Sequence, residues 1–295
     1  MHHTPVLLSE TLALLSPQPG EVVLDVTLGL GGHAQALLKA TDPDGRLIGL
    51  DADAVNLAEA QRRLASWEGR IALHHANFRS TLDVVDKPVD VLFADLGVSS
   101  PHFDDPSRGF TFRADAPLDL RFDQQAGSTA AEWIAAASAQ EITDALREFG
   151  EVNQAYRLAQ VIKKRHPLTT TELAECVEEV CTWRTSSILP QVFQALRIAV
   201  NDELGSLRTL LDAIPQLLHP GGRCGIIAYH SLEDRLVKQY FRTLCAVEKD
   251  PETGQDMGKP AYVLLTKKAI VPGAQEIAQN PRARSAKFRA VCKAG

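Results

Sequence analysis

The run VLFA at residues 91–94 constrains the architecture of this chain more tightly than any other stretch. Successive side chains of a strand point to opposite faces, so four consecutive apolar residues bury both faces of a sheet. Such a strand fits only a sheet covered on each side by another layer. The full segment, VDVLFADLG (89–97), is the fourth of a series whose earlier members are VVLDVT (22–27), RLIGLDAD (46–53) and IALHHANF (71–78). Helical patterns around 33–40, 54–66 and 79–85 separate them. Strands alternating with helices predict a parallel sheet with right-handed crossovers and helices on both faces.

From Ser128 to Val200 the strand signal vanishes, and AAEWIAAASAQEITDALREFG, QAYRLAQVIKKR and TTTELAECVEEVC follow one another, with LPQVFQALRIAVNDELGSLRTLLDAIPQLL running on beyond. Thr169, Thr170 and Thr171 before Glu172 read as a helix start, with a hydroxyl cap preceding an apolar periodic run. Strand patterns return at RCGIIAYH (223–230) and AYVLLT (261–266), with a helix from Leu232 to Leu244 between them. The expectation is an α/β core in two parts, residues 1–104 and 201–295, the second ending in a basic C-terminal tail, with a loop and an all-helical domain inserted over 105–200. No internal repeat is present.

No apolar run reaches the length of a membrane span, and the N-terminus lacks the basic region and cleavage site of a signal peptide, which predicts a cytoplasmic protein without a membrane partner. Five cysteines (Cys176, Cys181, Cys224, Cys245, Cys292) form neither an even disulfide set nor a CxxC pair, so they read as reduced packing residues. Metal-ligand spacing is absent: His2 and His3 are terminal, and His74 and His75 alternate across a strand. No metal is expected. Net charge of −6 argues, as a sum, against a nucleic-acid partner. Two segments dissent: residues 280–293 carry Arg282, Arg284, Lys287, Arg289 and Lys293 with Phe288 among them, and residues 157–166 carry Arg157, Lys163, Lys164, Arg165 and His166. A solvated face and a phosphate-facing patch both fit them.

Chemistry is expected at the strand ends. DVTLGLGGHAQALL (25–38) is a glycine-rich turn opening a helix, which serves a pyrophosphate, a nucleoside or only tight packing. Asp51, twenty residues beyond Gly31, is placed to accept the hydroxyls of an adenosine ribose. The turn lacks the third glycine of the dinucleotide fingerprint, which disfavours a nicotinamide oxidoreductase. LLHPGGRCGIIAYH (217–230) is similar to the turn before the fifth strand of seven-stranded, Rossmann-like methyltransferases, whose last strands form a reversed hairpin. Residues 244–248 and 261–266 are expected to supply it. Phe78, after the third strand, packs on an adenine ring or in the core. Asp95 ends the fourth strand in the cleft, either hydrogen-bonded structurally or aimed at ligand, and its place favours the second. In YHSLEDRLVK (229–238), Ser231 with Asp234 reads as a helix cap, and His230 as a proton acceptor or substrate contact. Between Asp95 and Asp123 runs a long loop that Phe103, Phe110 and Phe112 mark as ordered.

Seven strings, HTPVLLSE (3–10), TLGLGGH (27–33), DLGVSSPHFDDPSRGFTFR (95–113), PLDLRFD (117–123), FQALRIAVNDEL (193–204), HSLEDRLVK (230–238) and NPRARSAKFR (280–289), resemble the ribosomal RNA small subunit methyltransferase H family across nearly the whole chain. The resemblance implies a seven-stranded Rossmann-like core with an inserted helical domain. It also implies S-adenosylmethionine-dependent methylation of the exocyclic amine at position 4 of one cytidine in the decoding region of 16S rRNA, with the small ribosomal subunit as partner. Carried over, the cofactor contacts are Gly31, Gly32, His33, Asp51, Phe78, Asp95 and His102. His102 stands where members usually carry glutamine.

The paired-proline motif of DNA amino methyltransferases is missing, and DLGVSS stands in its place. The expectation is that Asp95 or His230 orients the amine and that Phe110 or Phe112 stacks the unstacked cytosine. Arg108, Arg113, Arg121, Arg282, Arg284 and their neighbours up to Arg289 are expected at phosphates. Methylation of another RNA or DNA cytosine, and a non-catalytic ribosome-assembly factor that keeps a cofactor cleft, are the competing readings. Nothing in the sequence sets an oligomeric state.

Overall fold

A computed structural model describes residues 5–247, 255–256 and 258–295. The chain divides into two compact units, Met1–Gly97 with Ser206–Gly295, and Val98–Gly205. The first unit opens with α1 (Leu8–Leu15), β1 (Val22–Asp25), α2 (Gly32–Ala40), β2 (Arg46–Asp51), α3 (Ala54–Arg63), β3 (Ile71–His75), α4 (Thr81–Val84) and β4 (Val89–Asp95). The second holds α5 (Ser100–Asp104), α6 (Ala130–Ala136), α7 (Ala139–Glu148), α8 (Ala155–Arg165), α9 (Thr170–Cys181) and α10 (Thr185–Asn201). The chain returns through α11 (Glu203–Leu217), β5 (Leu218–Ala228), α12 (Ser231–Leu244), β6 (Tyr262–Leu264), α13 (Ala274–Gln279) and β7 (Lys287–Lys293).

The first unit is built on one seven-stranded sheet of order β3-β2-β1-β4-β5-β7-β6. All pairs are parallel except those made by β7, which runs against both β5 and β6. Along β4 the burial alternates as the sequence demands. Val91 and Phe93 join a core with Leu15 of α1, Leu37 of α2 and Ala60 of α3, while Leu92 and Ala94 join another with Leu210 and Ile214 of α11 and Phe241 of α12. Strand order reverses between β1 and β4, which opens a crevice at their carboxyl ends.

The reversed hairpin differs from expectation. Leu244 ends α12 rather than starting a strand, residue 248 lies outside the described residues, and β6 pairs with β7. The basic segment expected as a tail is thus an interior strand, with Phe288, Ala290 and Val291 fully buried. β5 also starts earlier than expected. Leu218 lies opposite Val89 and Arg223 opposite Val91, so residues 219–222 bulge against Asp90 alone, and Gly221 adopts φ +81° to make the excursion.

In the second unit the caps are local chemistry. Thr129 with Glu132 and Ser138 with Glu141 form capping boxes that split one expected helix into α6 and α7. The Thr169 side chain caps α9 as anticipated, accepting from the Glu172 N–H. Asp202, at φ +45°, breaks the long terminal helix into α10 and α11. Ile134, Leu146, Leu158, Ile162, Val177 and Leu196 centre the core, and Phe110, Leu118 and Leu120 from the long loop are buried with them. Among the described residues no helix is long and apolar enough to cross a membrane, and all five cysteines are free thiols.

Arg108 corrects the expectation of a phosphate contact. It is 4% exposed and its guanidinium donates to the Arg121 and Phe122 carbonyls, at 2.9 Å each. Arg108→Ala strands both carbonyls, so a loss of about 2–4 kcal/mol in the urea unfolding of the chain is expected. An unchanged midpoint would show that the loop does not depend on this residue.

Candidate active site

The glycine-rich turn joins β1 to α2. Gly31, the residue before α2, sits at φ +75°, a conformation that favours glycine. A Cβ on Gly32 would stand 2.7 Å from Cγ of Pro5. At the end of β2 the Asp51 carboxylate accepts the Gly29 N–H at 2.7 Å through Oδ2 and the Asp53 N–H at 2.8 Å through Oδ1. Two backbone donors fix its plane and tie β2 to the turn.

Across the crevice, Asp95 ends β4. Its N–H donates to the Thr27 hydroxyl at 2.6 Å, and the Thr27 N–H donates to Oδ1 of Asp25 at 3.2 Å, so one threonine bridges the ends of β1 and β4. The Tyr229 hydroxyl donates to Oδ1 of Asp95 at 2.8 Å. Nδ1 of His33 lies 3.6 Å from Oδ2 of Asp95. Nε2 of His33 is 2.9 Å from the Val6 carbonyl, which only accepts, so that nitrogen carries the proton and Nδ1 turns a lone pair toward Asp95.

Burial pushes the Asp95 carboxyl up to about 7; the Tyr229 hydrogen bond opposes the rise and Glu233 adds to it. Burial likewise lifts Asp25 to about 8 against the pull of the Thr27 N–H, with Asp95 and Asp51 nearby raising it further. Tyr229, buried and facing Asp95, titrates well above its ordinary range. Asp25 gives a stability prediction. From about pH 4 to about pH 8 its folded carboxyl holds a proton that the unfolded chain has released, so stability falls as pH rises through that window. Asp25→Asn is expected to remove a loss on the order of a few kcal/mol. Thermal melts of the ligand-free protein should therefore separate the two proteins far more at pH 9 than at pH 5, where only the start of that window has been crossed. Coincident melts at pH 9 would refute it.

The structure brings Gly31, Gly32, His33, Asp51, Asp95 and His230 to the carboxyl edge of one sheet, and Phe78 half-buried just beyond β3. His230, not Ser231, is the residue that caps α12. Its Nδ1 accepts the Glu233 N–H at 3.4 Å, and Oε2 of Glu233 accepts the N–H groups of Tyr229 and His230. The helix simply starts one residue earlier than the hydroxyl suggested.

His102 belongs to the helical unit, where Nδ1 accepts the Ser99 N–H at 3.0 Å and the ring packs 4.9 Å from Phe110. Phe110 is 5% exposed and stacked on Phe122, so it is a core residue rather than a platform for a base. Phe112, 42% exposed and edge-on to Phe193, is the open aromatic, with Arg113 exposed beside it. Arg121 is occupied by Asp119 at 2.7 Å. In the 157–166 cluster, Lys163 donates to the Ala135 carbonyl and Arg165 pairs with Glu175 and Glu179, so these two serve the helical unit itself. Arg282 and Arg284 are exposed on a short turn before β7, whereas Lys287 and Arg289 pair with Asp234.

Asp25, Thr27, Gly29 and Tyr229 were not singled out from the sequence. Asp25 ends an apolar strand as Asp95 does, and that was the available signal; the partners of Thr27, Gly29 and Tyr229 are set by folding alone.

The profile of the MraW methylase family matches residues 1–294. A curated protein of Syntrophotalea carbinolica, "Ribosomal RNA small subunit methyltransferase H", is 45% identical, covering 98% of this chain and 97% of its own length. Proteins of the same name from Thermomicrobium roseum and Heliobacterium modesticaldum are 43% and 42% identical, over 98% and 99% of this chain and 92% and 98% of their own.

Proposed function

The chain belongs to the MraW methylase family, and from that premise we propose that it is an S-adenosylmethionine-dependent methyltransferase of ribosomal RNA. The finer reading is methylation of the exocyclic amine at position 4 of one cytidine in the decoding region of 16S rRNA, within the small ribosomal subunit and hence in the cytoplasm. The motifs from HTPVLLSE to NPRARSAKFR support it. The observation that carries it is the arrangement of Asp25, Asp51 and Asp95 on adjacent strand ends flanking the point where strand order reverses.

The residues suit the cofactor. A carboxylate has about four acceptor sites, so Asp51, oriented by two N–H groups, can receive ribose hydroxyls as well. The buried Oδ2 of Asp25 has no partner among the described residues, and a crevice lined by three carboxyls suits a cation. When bound, the cofactor supplies an electrophilic methyl on a positive sulfur. Asp95 would orient the attacking amine and take its proton, a task for which a pKa near neutrality suits it. The Tyr229 hydroxyl fixes the carboxylate, and the exposed Phe112 and Arg113 are proposed at the substrate.

Unmodified small subunits, incubated with the protein and S-adenosylmethionine, test this by mass analysis of the decoding-region fragment. A single added methyl on one cytidine is the expected result. A methyl elsewhere would overturn the target, and none at all would leave the assembly-factor reading.

A further inference from the structure

On α12, Arg235, Lys238 and Arg242 recur at spacings of three and four and so share one face, while Val237 and Phe241 turn into the core. Arg235 and Arg242 are exposed and Lys238 is half-buried. Lys238 and Arg242 line a shallow pocket with Lys267, just after β6, and Arg289 of β7; Phe241, Leu264 and Thr266 complete it, and no acidic side chain does. Lys268, next to Lys267, is exposed too. Among the described residues no carboxylate pairs with Arg235, Lys238, Arg242, Lys267 or Lys268.

Two neighbouring cations are held in place. Asp234 accepts from Arg289 Nε at 2.7 Å and lies 3.4 Å from Lys287 Nζ, clamping β7 to α12. Asp234 is thereby occupied. Five more like charges gathered on one face repel one another, a cost that an anion offsets on arrival.

The register sets the direction of this strip. Lys287 pairs opposite Ala228, the last residue of β5, and Tyr229 and His230 follow at once. The strip therefore starts at the same sheet edge as Asp95 and extends along α12. From Arg235 to Arg242 it covers about 10 Å, enough for about two or three phosphates of one strand.

We propose that this face of α12, with Lys267 and Arg289, is a track for the RNA backbone that continues from the methylated nucleotide. It rests on the reading of the substrate as RNA. A bilayer is the poorer partner, because the apolar side of α12 is already spent on the core and nothing on the helix remains to insert.

The test is the triple variant Lys238→Gln, Arg242→Gln, Lys267→Gln, with the single variants alongside and Lys238→Arg as the charge-keeping control. Binding of decoding-region RNA is expected to weaken roughly 10- to 100-fold at 0.1 M salt, and the slope of log Kd against log salt to flatten by about 2. KM for the ribosomal substrate should rise while kcat at saturation and affinity for S-adenosylhomocysteine stay put, and Lys238→Arg should behave as wild type. An unchanged slope and KM in the triple variant would overturn the track. So would RNA binding that stays intact while binding to phosphatidylserine vesicles is lost. A wild-type protein that neither binds nor methylates the RNA would instead remove the substrate reading itself.

Discussion

Replacing Asp95 with asparagine is expected to lower kcat by roughly 10²- to 10⁴-fold, the usual range for loss of a positioned proton acceptor. Affinity for S-adenosylhomocysteine should change far less, because the amide keeps the shape and the Tyr229 hydrogen bond. The pH profile makes the assignment specific. Only the carboxylate accepts a proton, and its pKa stands near 7, so kcat should fall about tenfold per pH unit below that value and level off above it. The Tyr229 hydroxyl stabilises the charged form, so Tyr229→Phe should move the acid limb to higher pH and leave the plateau nearly intact. Charged and titratable groups facing the carboxyl are His33, Tyr229, Asp25 and Glu233. Single-turnover transfer of labelled methyl across pH measures both effects. Wild-type turnover in Asp95→Asn would sink the assignment.

The second large effect belongs to Asp51. Its carboxylate does two jobs, fixing the turn through the Gly29 and Asp53 N–H groups and offering acceptors to a ribose. A hydrogen bond to a charged group contributes about 1.5–3 kcal/mol, so Asp51→Ala should weaken S-adenosylhomocysteine binding roughly 10²- to 10⁴-fold for two hydroxyls. Calorimetric titration reads this directly. Asp51→Asn, which keeps one acceptor, should fall between the two. An alanine variant that binds within threefold of wild type would place the ribose elsewhere.

What could be read from the sequence was what depends on neighbours in the chain. The both-sided apolarity of Val91 to Ala94 announced a covered sheet, and β4 is buried on both faces. Thr169 announced the start of α9, because a cap acts within three residues. β7 was hidden because Lys287, Arg289 and Lys293 punctuate its apolar residues, and its pairing partners lie about sixty residues upstream in β5. Phe110 looked like an open aromatic in a polar loop, yet its burial comes from side chains of α6 to α10 that no local pattern connects to it. Asp95 was legible as a residue, whereas its setting was not: Thr27, His33 and Tyr229 reach it across separations of 68 residues and 134 residues where hydrogen bonds define them.

The place of β7 bears on how the molecule is made. β6 touches the sheet only through β7, and β5 has no partner on that side without it. During synthesis, residues 262–264 emerge before the strand that will seat them, and β5 waits with a bare edge until residues 287–293 are released. Completion of the sheet is therefore tied to the last strand in the chain. That strand is also clamped through Arg289 and Asp234 to α12, so a chain that has reached only β6 still lacks both the cover for the edge of β5 and the anchor of that helix.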